Sequence, residues 1–247
     1  MRLRRLRRCR HGRMLYLKHD IYIGRCLDRH GEYAMAELEF LGNLVQCGDW
    51  VVDGGANIGC HTLFLSDRVG PTGGVLAFEP QRLVFQILCA NLALNERQNV
   101  HAFGEALGDS DDFAFVPPID YSRPHNFGGV SLGAQGEPVR RVRLDDLGLP
   151  RCRLIKLDVE GSEVEALLGM RQTVTRCRPL LYVENDRPER SVELLRLLRS
   201  WGYQCFWHTP SILPPGPDVE EHLLVHSHNL LCVLPEHLEL AQGLAPC

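Results

Sequence analysis

The sequence predicts an α/β fold, a mostly parallel sheet covered by helices on both faces, and three observations carry that expectation. Apolar runs that end in small or acidic residues alternate with helical patterns along the chain. The runs are too continuously apolar for a sheet with one wet face. At 247 residues and 45% hydrophobic content the chain suits a single domain around one large core. The strand-like runs are "DWVVDGG", "GGVLAFEP", "NVHAFGEAL", "CRLIKLDVEG" and "RPLLYVEND". Helical patterns occupy 34–45, 59–69, 81–95, 162–175 and 189–201. Two further runs, "GYQCFWH" at 202–208 and "NLLCVLP" at 229–235, have no long helix between them and are expected as an antiparallel pair at one edge. A Pro- and Gly-rich insert at about 109–150 is too long for an ordinary connection and reads as a lid or binding loop.

Charge is unevenly distributed. Seven of the 27 Lys and Arg fall in residues 1–13 with no acid among them, so the remainder carries 27 − 7 = 20 basic against 31 acidic residues. So acidic a body excludes a general nucleic-acid binder. The basic start, residues 1–19, is expected to be a disordered tail, with residues 20–247 forming the domain. No apolar run approaches the roughly 20 residues of a membrane span, and the first ten residues lack the apolar core of a secretion signal. A cytoplasmic protein is the expectation. Ten scattered cysteines without a C-x-x-C pair suit reduced, mostly buried thiols.

The run "VVDGGANIGCHT" places a strand, a tight turn and a helix start in one stretch. Gly54, Gly55 and Gly59 permit left-handed backbone and close approach of a ligand. A dinucleotide fingerprint would read G-x-G-x-x-G, whereas here Asp53 precedes Gly55-x-Asn57-x-Gly59. An acid at that strand end repels a pyrophosphate and suits an ammonium-bearing ligand such as S-adenosylmethionine. Glu79 closes the second strand, where a carboxylate accepts both ribose hydroxyls. Glu105 and the amide of Ala106 follow the third, where an adenine edge would lie.

These motifs, together with "AFEPQR", "NFGGVSL", "LIKLDVEGSE" and "RPLLYVEND", resemble the FkbM family of class I S-adenosylmethionine-dependent methyltransferases, in its bacterial branch. The resemblance implies a seven-stranded Rossmann-like sheet and methyl transfer to oxygen, typically a hydroxyl of a sugar, glycan or secondary metabolite. It assigns cofactor binding to Asp53, Gly55, Ala56, Asn57, Gly59 and Glu79. A non-catalytic cofactor-binding module and a nicotinamide-dependent oxidoreductase are the alternatives.

An alcohol acceptor must be aligned and must lose its proton. Asp158 and Glu184, at neighbouring strand ends, are the candidate catalytic carboxylates, with His208 of "FWHTP" as an alternative base. Asp158 and Glu160 would share a face if the strand persisted. His61 is a further candidate base that faces either the cofactor or the core, with core packing the preferred reading. Tyr33, Asn126, Phe127 and Trp207 are expected on the acceptor side, with Gly128 and Gly129 as a hinge and 207–215 as a covering loop. A magnesium ion on Asp158, Glu184 and Asn185 is the alternative to the favoured metal-free site. His222, His226 and His228 lie close together but lack the partners of a zinc site.

Overall fold

The computed structural model describes residues 3–212 and 226–247. It opens on a hairpin, β1 (Arg4–Cys9) and β2 (Gly12–Leu17), followed by α1 (Ile23–His30) and α2 (Met35–Leu44). Then come β3 (Trp50–Gly54), α3 (Cys60–Val69), β4 (Gly74–Phe78), α4 (Arg82–Leu94), β5 (Val100–Phe103), β6 (Ala106–Leu107), β7 (Asp112–Val116) and β8 (Glu137–Val142). The last part holds β9 (Leu154–Leu157), α5 (Glu163–Leu168), α6 (Arg171–Cys177), β10 (Leu180–Glu184), α7 (Pro188–Ser200), β11 (Gln204–His208), β12 (Asn229–Val233) and β13 (Ala245–Pro246).

The main sheet has the order β13-β11-β12-β10-β9-β3-β4-β5. Strands β10, β9, β3, β4 and β5 are parallel, and all but the edge strand β5 are buried on both sides, which is why their sequences are apolar without alternation. The strands that run the other way are β12, seated between β10 and β11, and the short β13 at the edge. One core lies on each face. Leu38, Leu41, Phe64 and Leu65 of α2 and α3 cover one side, and Val164, Leu167, Leu194 and Leu198 of α5 and α7 the other. Among the described residues no helix is long and apolar enough to cross a membrane.

Three expectations change. The helix expected over 162–175 is two helices, because the chain turns at Gly169, whose Cβ would fall 1.7 Å from the carbonyl oxygen of Gly108. The insert at 109–150 is more than a lid: β7 and β8 pair antiparallel and β6 joins as a third strand, around Ala114, Val116 and Val139. The start is no disordered tail. Met14, Tyr16 and Leu17 are buried against α1 and α4, and Asn91 of α4 and Asn95 just past its end accept the backbone amides of Leu15 (2.6 Å) and Arg13 (2.8 Å). Arg5 and the Tyr16 hydroxyl both bond Asp28. Arginines suggest a solvated segment by composition; here β1 keeps them outside while β2 carries the apolar face inward.

Replacing Tyr16, 2% exposed, by Ala should therefore cost about 3–5 kcal/mol, as for other buried aromatics. Urea unfolding measures this, and a change within about 0.5 kcal/mol would mean the hairpin does not pack.

Candidate active site

A cavity of about 450 Å³ opens over the carboxyl ends of β4, β3, β9 and β10. From β3 the chain proceeds outward through β4 and β5, then returns to β9 on the other side. The gap above β3 and β9 is the topological switch point of an open α/β sheet, the place where such sheets take ligands.

Asp53 and Lys156 are register partners on β3 and β9, so their side chains leave the same face of the sheet. Lys156 Nζ lies 3.3 Å from Asp53 Oδ1 and 3.5 Å from Asp158 Oδ2, and donates to the Gly55 carbonyl at 3.4 Å. Thr62 donates its hydroxyl to Asp53 Oδ2 at 2.6 Å. Burial by itself would lower the Lys156 ammonium, but Asp158 and Asp53 outweigh it and raise its pKa. Asp53, expected to meet the ligand's ammonium, is 0% exposed and outside the cavity lining. Its charge is spent on Lys156 and Thr62, behind the loop.

Gly55 sits at φ +75°, and a Cβ there would fall 1.7 Å from the carbonyl oxygen of Asp158. The close approach that this glycine permits is thus to the backbone after β9, and the cavity is reached by Gly55, Ala56 and Asn57 as a whole. Gly59, also left-handed, caps α3 and is not a lining residue.

Glu79 is buried at the cavity wall. Its Oε2 accepts the Asn57 amide at 2.9 Å and its Oε1 the Gln81 amide at 2.8 Å. Burial pushes its carboxyl up to about 7, against the pull of those two donors. Each oxygen keeps a further lone pair for a ligand. Glu105 and Ala106 line the cavity beyond Glu79, with Arg140 3.7 Å from the Glu105 carboxylate.

On the other side the strand β9 ends at Leu157, and Glu160 takes a positive φ of 56°, so the chain kinks before α5. Glu163 holds that kink by accepting the amides of Val159 (3.2 Å) and Gly161 (3.1 Å). The kink, and no continuation of the strand, gathers one oxygen each of Asp158, Glu160 and Glu184 within 4.8 Å of one another. Burial and the charges of Asp158 and Glu160 push Glu184 up to about 11. Burial and Asp158 likewise push Glu160 up to about 7, although Arg187 bonds it at 2.8 Å. Asn185 turns away to Ser191 at 2.9 Å, so the alternative magnesium set of Asp158, Glu184 and Asn185 is not assembled.

Tyr33 and Asn126 line the cavity; Phe127 does not. It is 1% exposed, packed on Tyr121, and only its carbonyl is engaged, accepting from Gln81 at 2.8 Å. Asn126 Oδ1 accepts the amides of Gly128 and Gly129, tying down the expected hinge. His208 and Trp207 also lie outside the lining. The His208 ring stacks on Phe40 at 3.9 Å, and its Nδ1 faces the Tyr182 hydroxyl at 2.8 Å. Trp207 packs at the margin of the core. His222 and 213–215 of the covering loop lie outside the described residues, whereas His226 and His228 line the cavity.

Two residues gain a place. His61, assigned to the core by its helix position, lines the cavity, with Nε2 3.0 Å from Oε1 of the buried Glu37. Glu37, also a lining residue, was legible as an acid on the Leu38, Leu41, Leu44 side of α2, where burial needs a partner.

The family described as Methyltransferase FkbM domain matches residues 53–205, more than half of the chain. A methyltransferase named sdnD from Sordaria araneosa is 32% identical over 159 residues, 49% of this chain and 60% of that one. Methyltransferase 1 of Beauveria bassiana is 27% identical over 206 residues, covering 73% and 81%. The chain thus spans less than two thirds of the first relative. Among solved structures, the FkbM methyltransferase of Methylobacillus flagellatus superposes with a TM-score of 0.54 and 21% identity, over 81% of this chain and 48% of that one.

The Asp53–Lys156–Asp158 cluster supplies a direct test. Lys156→Met should cost about 3–5 kcal/mol in urea unfolding, because it strands a fully buried carboxylate, and adding Asp53→Asn should restore most of it. A single variant as stable as wild type would show that the ion pair does not hold the sheet ends together.

Proposed function

Because the chain belongs to the FkbM methyltransferase family, an S-adenosylmethionine-dependent fold, we propose that it methylates a hydroxyl of a small molecule such as a sugar, glycan or secondary metabolite. The observation that carries this reading is the division of one cavity into a nucleoside side at Glu79 and a carboxyl pair, Asp158 and Glu184, two and three strands away. S-adenosylmethionine supplies an electrophilic methyl on a sulfonium. The residues fit it: Glu79 offers free lone pairs to two ribose hydroxyls, Glu105 and the Ala106 backbone face the base, and the loop Gly55–Ala56–Asn57 walls the chain between them.

The acceptor side needs one group to hold the hydroxyl and one to take its proton. Glu184, kept neutral by burial and by Asp158 and Glu160, is a donor that orients the acceptor oxygen. Asp158 accepts the proton, and the Lys156 ammonium beside it anchors its position through the exchange. Tyr33 and Asn126 wall the acceptor. No role falls to His208, whose ring is closed off by Phe40 and Tyr182.

Calorimetric titration with S-adenosylmethionine tests the nucleoside side: Glu79→Ala should weaken binding by about 10-fold or more, the loss of a charge-assisted hydrogen bond. Equal affinity in both proteins removes Glu79 from the cofactor site. On the acceptor side, methyl transfer to a panel of sugars and phenols should fall by at least about 100-fold in Asp158→Asn with cofactor affinity retained. A fully active variant would assign the proton elsewhere.

A further inference from the structure

The arginine-rich hairpin sorts its basic side chains onto two faces. Successive residues of a strand point to opposite sides, and the register of β1 on β2 sets Arg5 across from Tyr16 and Arg7 across from Met14, on the face that meets Asp28 of α1. There the charges are answered. Arg5 bonds the Asp28 carboxylate at 2.6 Å, and Arg7 donates to the Leu27 carbonyl at 2.9 Å. Arg10, just past the strand, reaches Glu32 at 2.8 Å. Arg4, Leu6 and Arg8 point the other way, and Arg13 lies directly across from Arg8. All four are exposed, Leu6 by 48%, and none of these three guanidinium groups has an ion pair or hydrogen bond among the described residues. Like charges directly opposite in an antiparallel pair repel, and an anion beside Arg8 and Arg13 relieves that repulsion.

The same strand is open along its outer edge. On β2 the N–H and C=O groups of Arg13 and Leu15 face α4, where Asn95 and Asn91 take them. Those of Met14 and Tyr16 therefore face β1 and pair with Arg7 and Arg5, which leaves the N–H and C=O groups of Leu6 and Arg8 pointing away from the hairpin. Among the described residues neither backbone finds a partner there. Such an edge is a template for another extended chain. A second copy is a poor occupant, because antiparallel self-pairing centred on Leu6 would set Arg4 of one chain against Arg8 of the other. A nucleic-acid duplex or an anionic membrane would meet the charges but leave the backbone edge unused, and the chain beyond residue 13, with 20 basic against 31 acidic residues, repels a broad anionic surface. An extended peptide with acids at alternate positions satisfies the edge and the charges together.

We propose that the outer edge of β1 docks an extended acidic segment of a partner protein. The segment adds as an antiparallel third strand, setting carboxylates on Arg4 and on the Arg8–Arg13 pair with an apolar side chain between them at Leu6. No residue of β1 lines the cavity, so this surface is independent of the cofactor and acceptor assignments.

The probe is a fluorescein-labelled peptide, Thr-Glu-Thr-Val-Thr-Glu-Thr, whose alternation puts both Glu and the Val on one face. Fluorescence anisotropy with the full chain should show binding, and Arg4→Glu combined with Arg8→Glu should weaken it by about 10-fold or more. Both arginines are exposed and unpaired, so this double variant should unfold in urea as wild type does, which certifies an intact hairpin. N-methylation of the Val and one Glu removes amides that face β1 and should also cost about 10-fold or more, whereas N-methylation of the two inner Thr, whose amides face away, should leave affinity within about threefold. If both N-methylated peptides bind as the parent does, charge alone holds the peptide and strand addition is overturned. A DNA duplex or phosphatidylserine vesicles binding more tightly than the peptide, with the same arginine dependence, would assign the face to that polyanion and overturn the proposal too. So would absence of binding at about 1 mM peptide, which leaves the arginines as a guard against self-pairing.

Discussion

The site depends on one buried cation. Lys156 sits where β3 and β9 run side by side, and its ammonium bridges the acid that ends one strand and the acid that follows the other. Without it, Asp53 and Asp158 would bring two like charges into the same dry space, and the strand ends would separate. Its bond to the Gly55 carbonyl extends the same restraint to the glycine loop, and the Thr62 hydroxyl on Asp53 extends it to the first turn of α3. The loop, the strand ends and the helix that together wall the cavity are thereby fixed to one another by a single charge cluster.

That arrangement explains why the cavity tolerates so many carboxylates. Burial and its acidic neighbours push Glu184 up, Glu79 accepts two amide N–H groups, and Glu163, behind the wall, accepts two more while bending the chain after β9. The bend matters for chemistry, since it turns Glu160 toward Asp158 and Glu184 where a continued strand would have carried it onward. A field of this sign favours cationic ligands.

The two additions to the central sheet serve the cavity from outside. The hairpin β1–β2 buttresses α1 and α4, and the segment just after it, Tyr22 and Ile23, reaches the cavity wall. His125 in the insert is bridged to Asp20, which brings Gly128 beside Ile23 at the cavity wall. The insert's own small sheet backs this wall, which two segments distant in the chain build together.

The sequence by itself determined the parallel sheet and its strand ends, because these are local. A continuously apolar run ending in Asp53 or Glu79 can be read without knowing its neighbours. The helix after "DGGANIG", the antiparallel character of β12 and the place of Asp158 and Glu184 at adjacent ends follow from the same logic. Only the tertiary structure decided which groups face the cavity, because that depends on partners far apart in the chain. Asp53 turned out to be committed to Lys156, 103 positions on, and His208 to Tyr182 and Phe40. His61 was drawn from the core to the cavity wall by Glu37, and the arginine-rich start was ordered by apolar residues of β2 that composition alone outweighs. A side chain's charge is local information, but the compensation of that charge is not, and in a buried site the compensation decides what remains available to a ligand.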